Sequence, residues 1–374
     1  MRQKVFIGGY EMISSLGFNA HDHQKAFEQN KSGITVKDFD FGAQPVSGID
    51  EFLFNQLCEK LDIPDDFSKV EKLITATISQ LVTMNKIETL AIPLFIASTK
   101  GNINRLNASS DYNHVHLINS GNRIKDYFNI ASPPTIICNA CTSGLHALIM
   151  ASRLIETGAI DQALVSGVDI ISDFTLRGFR ALHAMSSEPC RPYDESRAGI
   201  TIGEGAATIW LTTDRNKAKA QILGGATSND ANHISGPSRT GAGLQQAVRD
   251  ALRAGEHPTI DFINAHGTAT NFNDEMECKA FAALGLSELP TMSNKGYWGH
   301  TLGAAGVIET AAVCISLEEQ RVYKTIGYEN HGVSLPLNIV QKNENKSIKH
   351  ALKTSSGFGG SNAAVILKHI KESE

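Results

Sequence analysis

The chain has 374 residues, with 34 Lys and Arg against 39 Asp and Glu, a formal net charge of −5 and 41% hydrophobic residues. This mildly acidic balance, without any basic run interleaved with aromatics, argues against nucleic acid as a partner. No apolar stretch reaches the length a membrane-spanning helix needs, and the length allows two core-bearing halves or one large α/β unit.

The N-terminus, MRQKVFIGG, lacks the apolar core of a signal peptide and reads as a first strand running into a glycine turn. The cytoplasm is therefore the expected compartment. Strand-like runs lie at 4–8, 91–97, 135–139, 162–168, 206–211, 260–265 and 362–367. Helix-spaced patterns lie between them at 70–85, 144–157, 243–254, 276–284 and 304–319. The alternation predicts an α/β fold with covered sheets. A change of composition at 212–219 (TTDRNKAK) places the seam between two halves, 1–214 and 215–374. Each half reaches a strand, a polar turn with a reactive residue, and then a helix: Cys141 in the first, His266 in the second.

Residues 135–148, TIICNACTSGLHAL, put Cys141 where an apolar strand gives way to a helical pattern. Unpaired N–H groups and the positive end of a helix dipole favour a thiolate there. A buried core cysteine is the other reading of the same segment. Six scattered cysteines do not make a disulfide framework in a chain of this size. Cys138 and Cys141 form a C-x-x-C pair, but no second pair is present to complete a zinc site, and a redox dithiol opens its helix with the first cysteine. The paired cations Lys69 with Lys72, Lys100 with Arg105 and Arg177 with Arg180 read as solvated surface.

Three glycine-rich signatures follow in the second half. INAHGTAT (263–270) sends a strand into His266, with Gly267 allowing close approach and Thr268 and Thr270 offering hydroxyls to a polar ligand arm. SNKGYWGHTLGAAG (293–306) carries Lys295 and His300 ahead of a helix rich in small residues, able to sit close to another backbone. SSGFGGSN (355–362) is a loop whose N–H groups can turn toward an anion. One thiol, two glycine-flanked histidines and an N–H-rich loop suit thioester chemistry, and equally a carbanion reaction in which two neutral histidines stabilise an enolate.

These segments resemble the motifs of the elongating β-ketoacyl-acyl carrier protein synthases of the thiolase superfamily. NACTSG (139–144) is similar to the nucleophile motif, NAHGTAT (264–270) to the first histidine motif, and 295–306 to the lysine and second-histidine motif. GFGGSN (357–362) is similar to the terminal glycine loop. CRPYD (190–194) through Gly199 and GEG (203–205) resemble the family's Arg-Pro-aromatic-Asp segment and glycine turn. The resemblance runs in order from the first strand to about Lys368. It implies a five-layered αβαβα thiolase-like fold of two pseudo-symmetric halves, usually a dimer. It also implies that Cys141 takes an acyl chain from a carrier-protein thioester, and that His266 and His300 promote decarboxylation of malonyl-carrier protein and hold the enolate. By the same resemblance the N–H groups of Cys141 and Phe358 form an oxyanion hole, with Phe358 also a gate. Thr268, Thr270, Phe179 and Asn362 are implied on the substrate side, Lys295 among the catalytic residues with Cys141, His266 and His300, and Glu309 and Asp274 as supporting residues that organise the site. No metal, nucleotide or separate cofactor is implied, since the substrates ride on the phosphopantetheine of an acyl carrier protein.

Two histidines separate this pattern from initiating synthases, which use Cys, His and Asn. Degradative thiolases need a second cysteine near a C-terminal Cys-x-Gly, whereas the last cysteine here is Cys314. The chain is short for the family between 98 and 134, a region the resemblance ties to the dimer contact and the end of the acyl pocket. His183 stands where carrier-docking relatives often have arginine, and Tyr297 and Trp298 are bulky enough to reshape the entrance. Fatty-acid elongation and polyketide or aryl-polyene-like synthesis both remain open, as do a homodimer and a heterodimer with a related subunit. The alternative reading is a non-catalytic or weakly active partner that sets chain length in such a heterodimer.

Overall fold

The structure, a computed structural model, describes residues 2–106 and 112–370. Ten strands form one continuous sheet. In chain order they are β1 (Val5–Ser14), β2 (Leu94–Ala97), β3 (Thr135–Ile137), β4 (Gln162–Asp169) and β5 (Gly205–Thr212). The second five are β6 (Ala220–Asn229), β7 (Phe262–Asn264), β8 (Thr291–Met292), β9 (His350–Gly357) and β10 (Ser361–His369). The spatial order is β8-β7-β9-β10-β6-β1-β5-β4-β2-β3.

This order contains a repeat. Read toward the junction, the first half runs β3-β2-β4-β5-β1 and the second β8-β7-β9-β10-β6. In each, the first three strands are parallel and the last two antiparallel. The halves meet where residues 5–7 of β1 pair with 220–222 of β6.

Helices cover the sheet in the same repeated way. The main ones here are α1 (Lys69–Asn85), α2 (Ser143–Glu156), α3 (Asp173–Ala181), α4 (Ala242–Ala254), α5 (Asn271–Ala283) and α6 (Ala305–Glu318). Successive strand residues face opposite sides. Leu164 and Val168 of β4 therefore join Leu73, Ile74 and Ile78 of α1 in an outer core. Ala163 and Val165 join the central core with Leu148 of α2 and Val307 of α6. In the second half Leu352 and Ile366 pack outward with Leu244 and Val248 of α4, while Val365 and Leu367 face the centre. The result is five layers, helix-sheet-helix-sheet-helix, as expected of a thiolase-like α/β fold.

The central helices touch backbone to backbone. A Cβ on Gly306 would lie 2.3 Å from the Leu145 nitrogen, and one on Gly144 2.7 Å from the Val307 nitrogen. Neither obstacle is a flexible side chain. Gly306→Ala is thus expected to cost about 3 kcal/mol by forcing α2 and α6 apart, read as a fall in the midpoint of denaturant unfolding.

Some expectations change. Gly8 and Gly9 do not make a turn: they lie inside β1, at a register shift between Ile7 and Gly9. Gly8 is small because the Trp210 ring passes 2.6 Å from where its Cβ would be. β6 and β9 escape an apolar-run search because AQILGGATSN and HALKTSSG are rich in glycine and hydroxyl residues. Helices Ala20–Glu28, Glu51–Lys60, Leu117–Tyr127 and α3 also lay outside the predicted set. Lys69 is more than solvated surface, since it bridges Glu51 and the buried Glu204. The polar 102–129 stretch holds short turns at Ile103–Arg105 and Tyr112–Val115 before the Leu117–Tyr127 helix. Its residues 107–111 lie outside the described residues. Among the described residues no helix is long and apolar enough to cross a membrane.

Candidate active site

The ends of β3, β7 and β8 deliver the reactive residues to one buried place. Cys141 follows Ala140, whose φ of +46° bends the chain sharply between β3 and α2. Such a conformation is strained for a residue with a Cβ. Small hydroxyls hold the bend: Thr142 Oγ1 donates to the Asn139 carbonyl (2.7 Å), and Ser143 Oγ donates to that of Ala140 (2.6 Å). Ser355 Oγ of β9 donates to the Cys141 carbonyl (3.1 Å).

The two histidines stand with ring centroids 5.0 Å apart and nearly perpendicular. One donor atom from each of Cys141, His266 and His300 lies within 4.8 Å of the others. His300 Nε2 is 3.0 Å from Cys141 Sγ. The Leu302 N–H donates to His300 Nδ1 (3.3 Å), so the neutral ring carries its proton on Nε2. His300 therefore presents an N–H donor beside the thiol. Its backbone is fixed on both sides by the 201–203 segment: its N–H donates to the Thr201 carbonyl (2.7 Å), and its carbonyl accepts from the Gly203 N–H (3.0 Å).

His266 sits on a loop pinned at successive backbone groups. Glu277 of α5 accepts from the N–H of His266 (2.8 Å) and of Gly267 (2.7 Å). Asp274 accepts from the N–H of Thr268 (3.0 Å). The His266 carbonyl accepts from Lys295 Nζ (2.9 Å). Lys295 also pairs with Oε1 of Glu309 on α6. Glu309 Oε2 lies 2.6 Å from Lys353 Nζ of β9, a close ion pair whose angle falls short of a hydrogen bond. All three charged side chains are essentially inaccessible to water.

Electrostatics follow from burial. Desolvation and then the Lys295 cation, followed by His300 on His266 or Lys100 on His300 and last by Lys353, hold both histidines well below the ordinary imidazole value, so they are neutral donors. Burial pushes the Cys141 thiol up to about 11, with Lys295 and Lys100 pulling the other way. Burial of the sulfur thus works against the thiolate that a helix start favours. Burial likewise raises Asp274 to about 7.

The other expected residues are placed as follows. Gly357 approaches Cys141 so closely that a Cβ would lie 3.1 Å from the Cys141 nitrogen, which brings the Phe358 peptide beside that of the thiol. The Phe358 ring is 5.6 Å from that of Phe179 on α3. Thr268 and Thr270 are not free hydroxyls. They bond each other (2.9 Å), and Thr270 accepts from the Asn273 N–H at the start of α5 (3.3 Å), leaving one hydroxyl proton of the pair to offer. Asn362 is buried and engaged by its own loop, accepting from Ser356 Oγ (2.8 Å) and donating to the Gly360 carbonyl (3.0 Å). In the glycine loop, the Gly359 N–H already donates to the Ile234 carbonyl (2.7 Å). Tyr297 and Trp298 do not shape the entrance: both are fully buried, packed on Phe27. His183 is exposed just beyond α3. Cys138 turns outward, and all six cysteines are free thiols.

Sequence reading missed Glu277 and Lys353. The signal for Glu277 was its spacing from Asp274, three residues apart on one helix face. The signal for Lys353 was a lone charge in a strand whose neighbours face the interior.

Residues 97–217 match the β-ketoacyl synthase N-terminal domain family and 219–329 the C-terminal domain family. The chain is 30% identical over 420 aligned residues to a 3-oxoacyl-[acyl-carrier-protein] synthase 2 of Vibrio cholerae, covering 99% of this chain and all of that one. It is 33% identical to a tetracenomycin polyketide synthase ketoacyl synthase alpha subunit of Streptomyces glaucescens, over 64% of this chain and 61% of that one. Among solved structures it superposes with a TM-score of 0.88 and 25% identity on one of a ketosynthase in complex with its chain length factor from Xenorhabdus doucetiae, covering 98% of both chains. The fold, the matched domains and full-length similarity agree: the chain belongs to the β-ketoacyl synthase family.

Proposed function

We infer that this protein catalyses decarboxylative Claisen condensation of an acyl group, held on Cys141, with malonyl-carrier protein to give β-ketoacyl-carrier protein. The observation that carries the reading is the buried cluster of Cys141, His266 and His300 within 4.8 Å. In this reading residues 1–214 deliver the nucleophile and 215–374 both histidines.

The first half-reaction forms the S–C bond between Cys141 and the acyl carbonyl while the pantetheine sulfur leaves. The thiol proton of Cys141 ends on that departing sulfur. The N–H groups of Cys141 and Phe358 stabilise the tetrahedral oxyanion. In the second half-reaction the malonyl carboxylate leaves as carbon dioxide, and its electron pair becomes an enolate. Two neutral imidazole N–H donors, Nε2–H of His300 and a ring N–H of His266, receive the enolate oxygen. The enolate carbon then attacks the acyl–Cys141 carbonyl and expels the Cys141 thiolate. With its pKa held near 11, the thiolate takes a proton from water and the thiol is restored.

Thr268 and Thr270 offer their remaining hydroxyl proton to the pantetheine arm, and the Phe179–Phe358 pair gates the acyl path. Asn362 supports substrate binding by holding the glycine loop. Lys295, Glu309 and Asp274 organise the histidine loop. The reaction calls for no cofactor beyond carrier-bound phosphopantetheine, and its setting is the cytoplasm. The partners are an acyl carrier protein and a second ketosynthase-like subunit, either identical or related. The pathway is fatty-acid or polyketide-type chain building.

Intact-protein mass spectrometry tests this with a panel of acyl-carrier proteins, followed by malonyl-carrier protein. The expected result is an acyl adduct on Cys141 that disappears on addition of malonyl-carrier protein. No adduct from any donor, with the protein alone and with a co-purified ketosynthase-like subunit, would instead assign the chain-length-setting role. His300→Ala is expected to acylate normally yet lose about 10²–10³-fold in decarboxylation. An equal loss in both steps would refute the division of labour.

A further inference from the structure

Lys353 is a fully buried lysine that the reaction as described does not use. Its Nζ has only acceptors around it. Besides Glu309 Oε2 at 2.6 Å, it donates to the carbonyls of Thr354 (2.7 Å), Asn264 (3.5 Å) and Ala265 (3.5 Å). Burial pulls Lys353 below the ordinary lysine value and the Glu309 carboxylate works against that pull. An ammonium has donors for such a site and nothing to accept with, so the acceptors around Nζ suit the charged form.

The consequence lies in the strand end that carries His266. The carbonyls of Asn264 and Ala265 face Lys353, and the next carbonyl, that of His266, accepts from Lys295. Glu309 ties the two lysines together, one on each carboxylate oxygen. Two lysines thus share the Glu309 carboxylate behind the histidines, with the Glu277 carboxylate also acting on Lys353, in a place without water to screen these charges.

We propose that Lys353 is a positioning residue for the condensation, holding the His266 strand end and supplying the second buried cation that keeps both histidines in their neutral, N–H-donating form. This rests on the condensing reading above. A neutral His300 keeps its Nδ1 lone pair for the Leu302 N–H. Protonating Nδ1 sets two donors face to face, and the ring loses the orientation that aims Nε2–H at the reacting oxygen. Decarboxylation must therefore fall on the acid side as the histidines gain a proton.

The charged and titratable groups around the pair are Cys141 before α2, Lys295, Asp274 and Glu277 of α5, Glu309 of α6 and Lys353 of β9. Lys100 and Asp169 lie on the His300 side. Of these, Lys353 can be neutralised while the Glu309 carboxylate keeps a counter-ion, Lys295 on its other oxygen.

Lys353 disfavours imidazolium, so removing its charge raises the histidine pKa values and moves the acid limb to higher pH. The test measures malonyl-carrier protein decarboxylation and Cys141 acylation across pH in wild type, Lys353→Met, Lys353→Gln and Lys353→Arg, with thermal unfolding in parallel. The two neutral variants are expected to shift the acid limb of decarboxylation upward by about half to one pH unit. Their acylation should stay near wild type at neutral pH, and Lys353→Arg should keep the limb in place. A purely structural lysine would lower both half-reactions at every pH with the limb unmoved, and that result overturns the proposal. So does a limb that shifts equally in Lys353→Arg. If the wild type itself forms no adduct and decarboxylates nothing, the condensing reading fails, and this inference with it.

Discussion

Cys141→Ser is expected to abolish condensation, with a loss of at least about 10³-fold and no acyl adduct by mass. The substitution is nearly isosteric, so the fold should survive. What disappears is nucleophilicity. A serine hydroxyl needs a base beside it, and His300 is not one in this geometry: its Nε2 carries the proton, and its Nδ1 accepts from Leu302. A thiol is intrinsically more nucleophilic and ionises far more easily. Retained condensation in Cys141→Ser would mean the cysteine is a core residue after all and that the reacting group lies elsewhere.

Glu309→Leu should be the most damaging change to the scaffold, lowering stability by about 3–5 kcal/mol. Its carboxylate is the common partner of Lys295 and Lys353, and none of the three side chains reaches water. Leucine leaves two uncompensated cations in the interior. The double variant Glu309→Leu with Lys353→Met removes one of those cations and should recover part of the loss in a urea titration. A double variant as unstable as the single one would show that the cost comes from packing on α6 and not from the orphaned charges.

The Glu309 network also shows what a sequence does and does not disclose. Glu309 and Lys295 were legible because they lie within a few turns of His300, inside one continuous motif. Lys353 lies 44 residues beyond Glu309 along the chain, and nothing in its own strand points to a partner on α6. The ladder between β7 and β9 makes the connection, setting Lys353 directly opposite Asn264 in the register. Glu277 was similarly visible as a residue and invisible as a role, because its partners are backbone N–H groups that converge only once the loop after β7 has folded over α5.

The sequence by itself determined the α/β class and the order of most strands and helices, and marked Cys141, His266, His300 and the 355–362 glycine loop as one candidate chemical kit. Those properties are local. Apolar periodicity reports which faces are buried, and glycines beside a reactive residue report where backbones approach. Only the tertiary structure decided the protonation of the site. A cysteine at a helix start reads as a thiolate in one dimension, yet desolvation in the folded interior raises it to about 11. The neutral state of the histidines likewise depends on burial and on lysines brought from the segment after β8 and from within β9. Tyr297 and Trp298 make the same point in packing: lying between Lys295 and His300 in sequence, they turn away into the aromatic core around Phe27. Solvation and charge are sums over everything nearby in space, and chain order does not contain those sums.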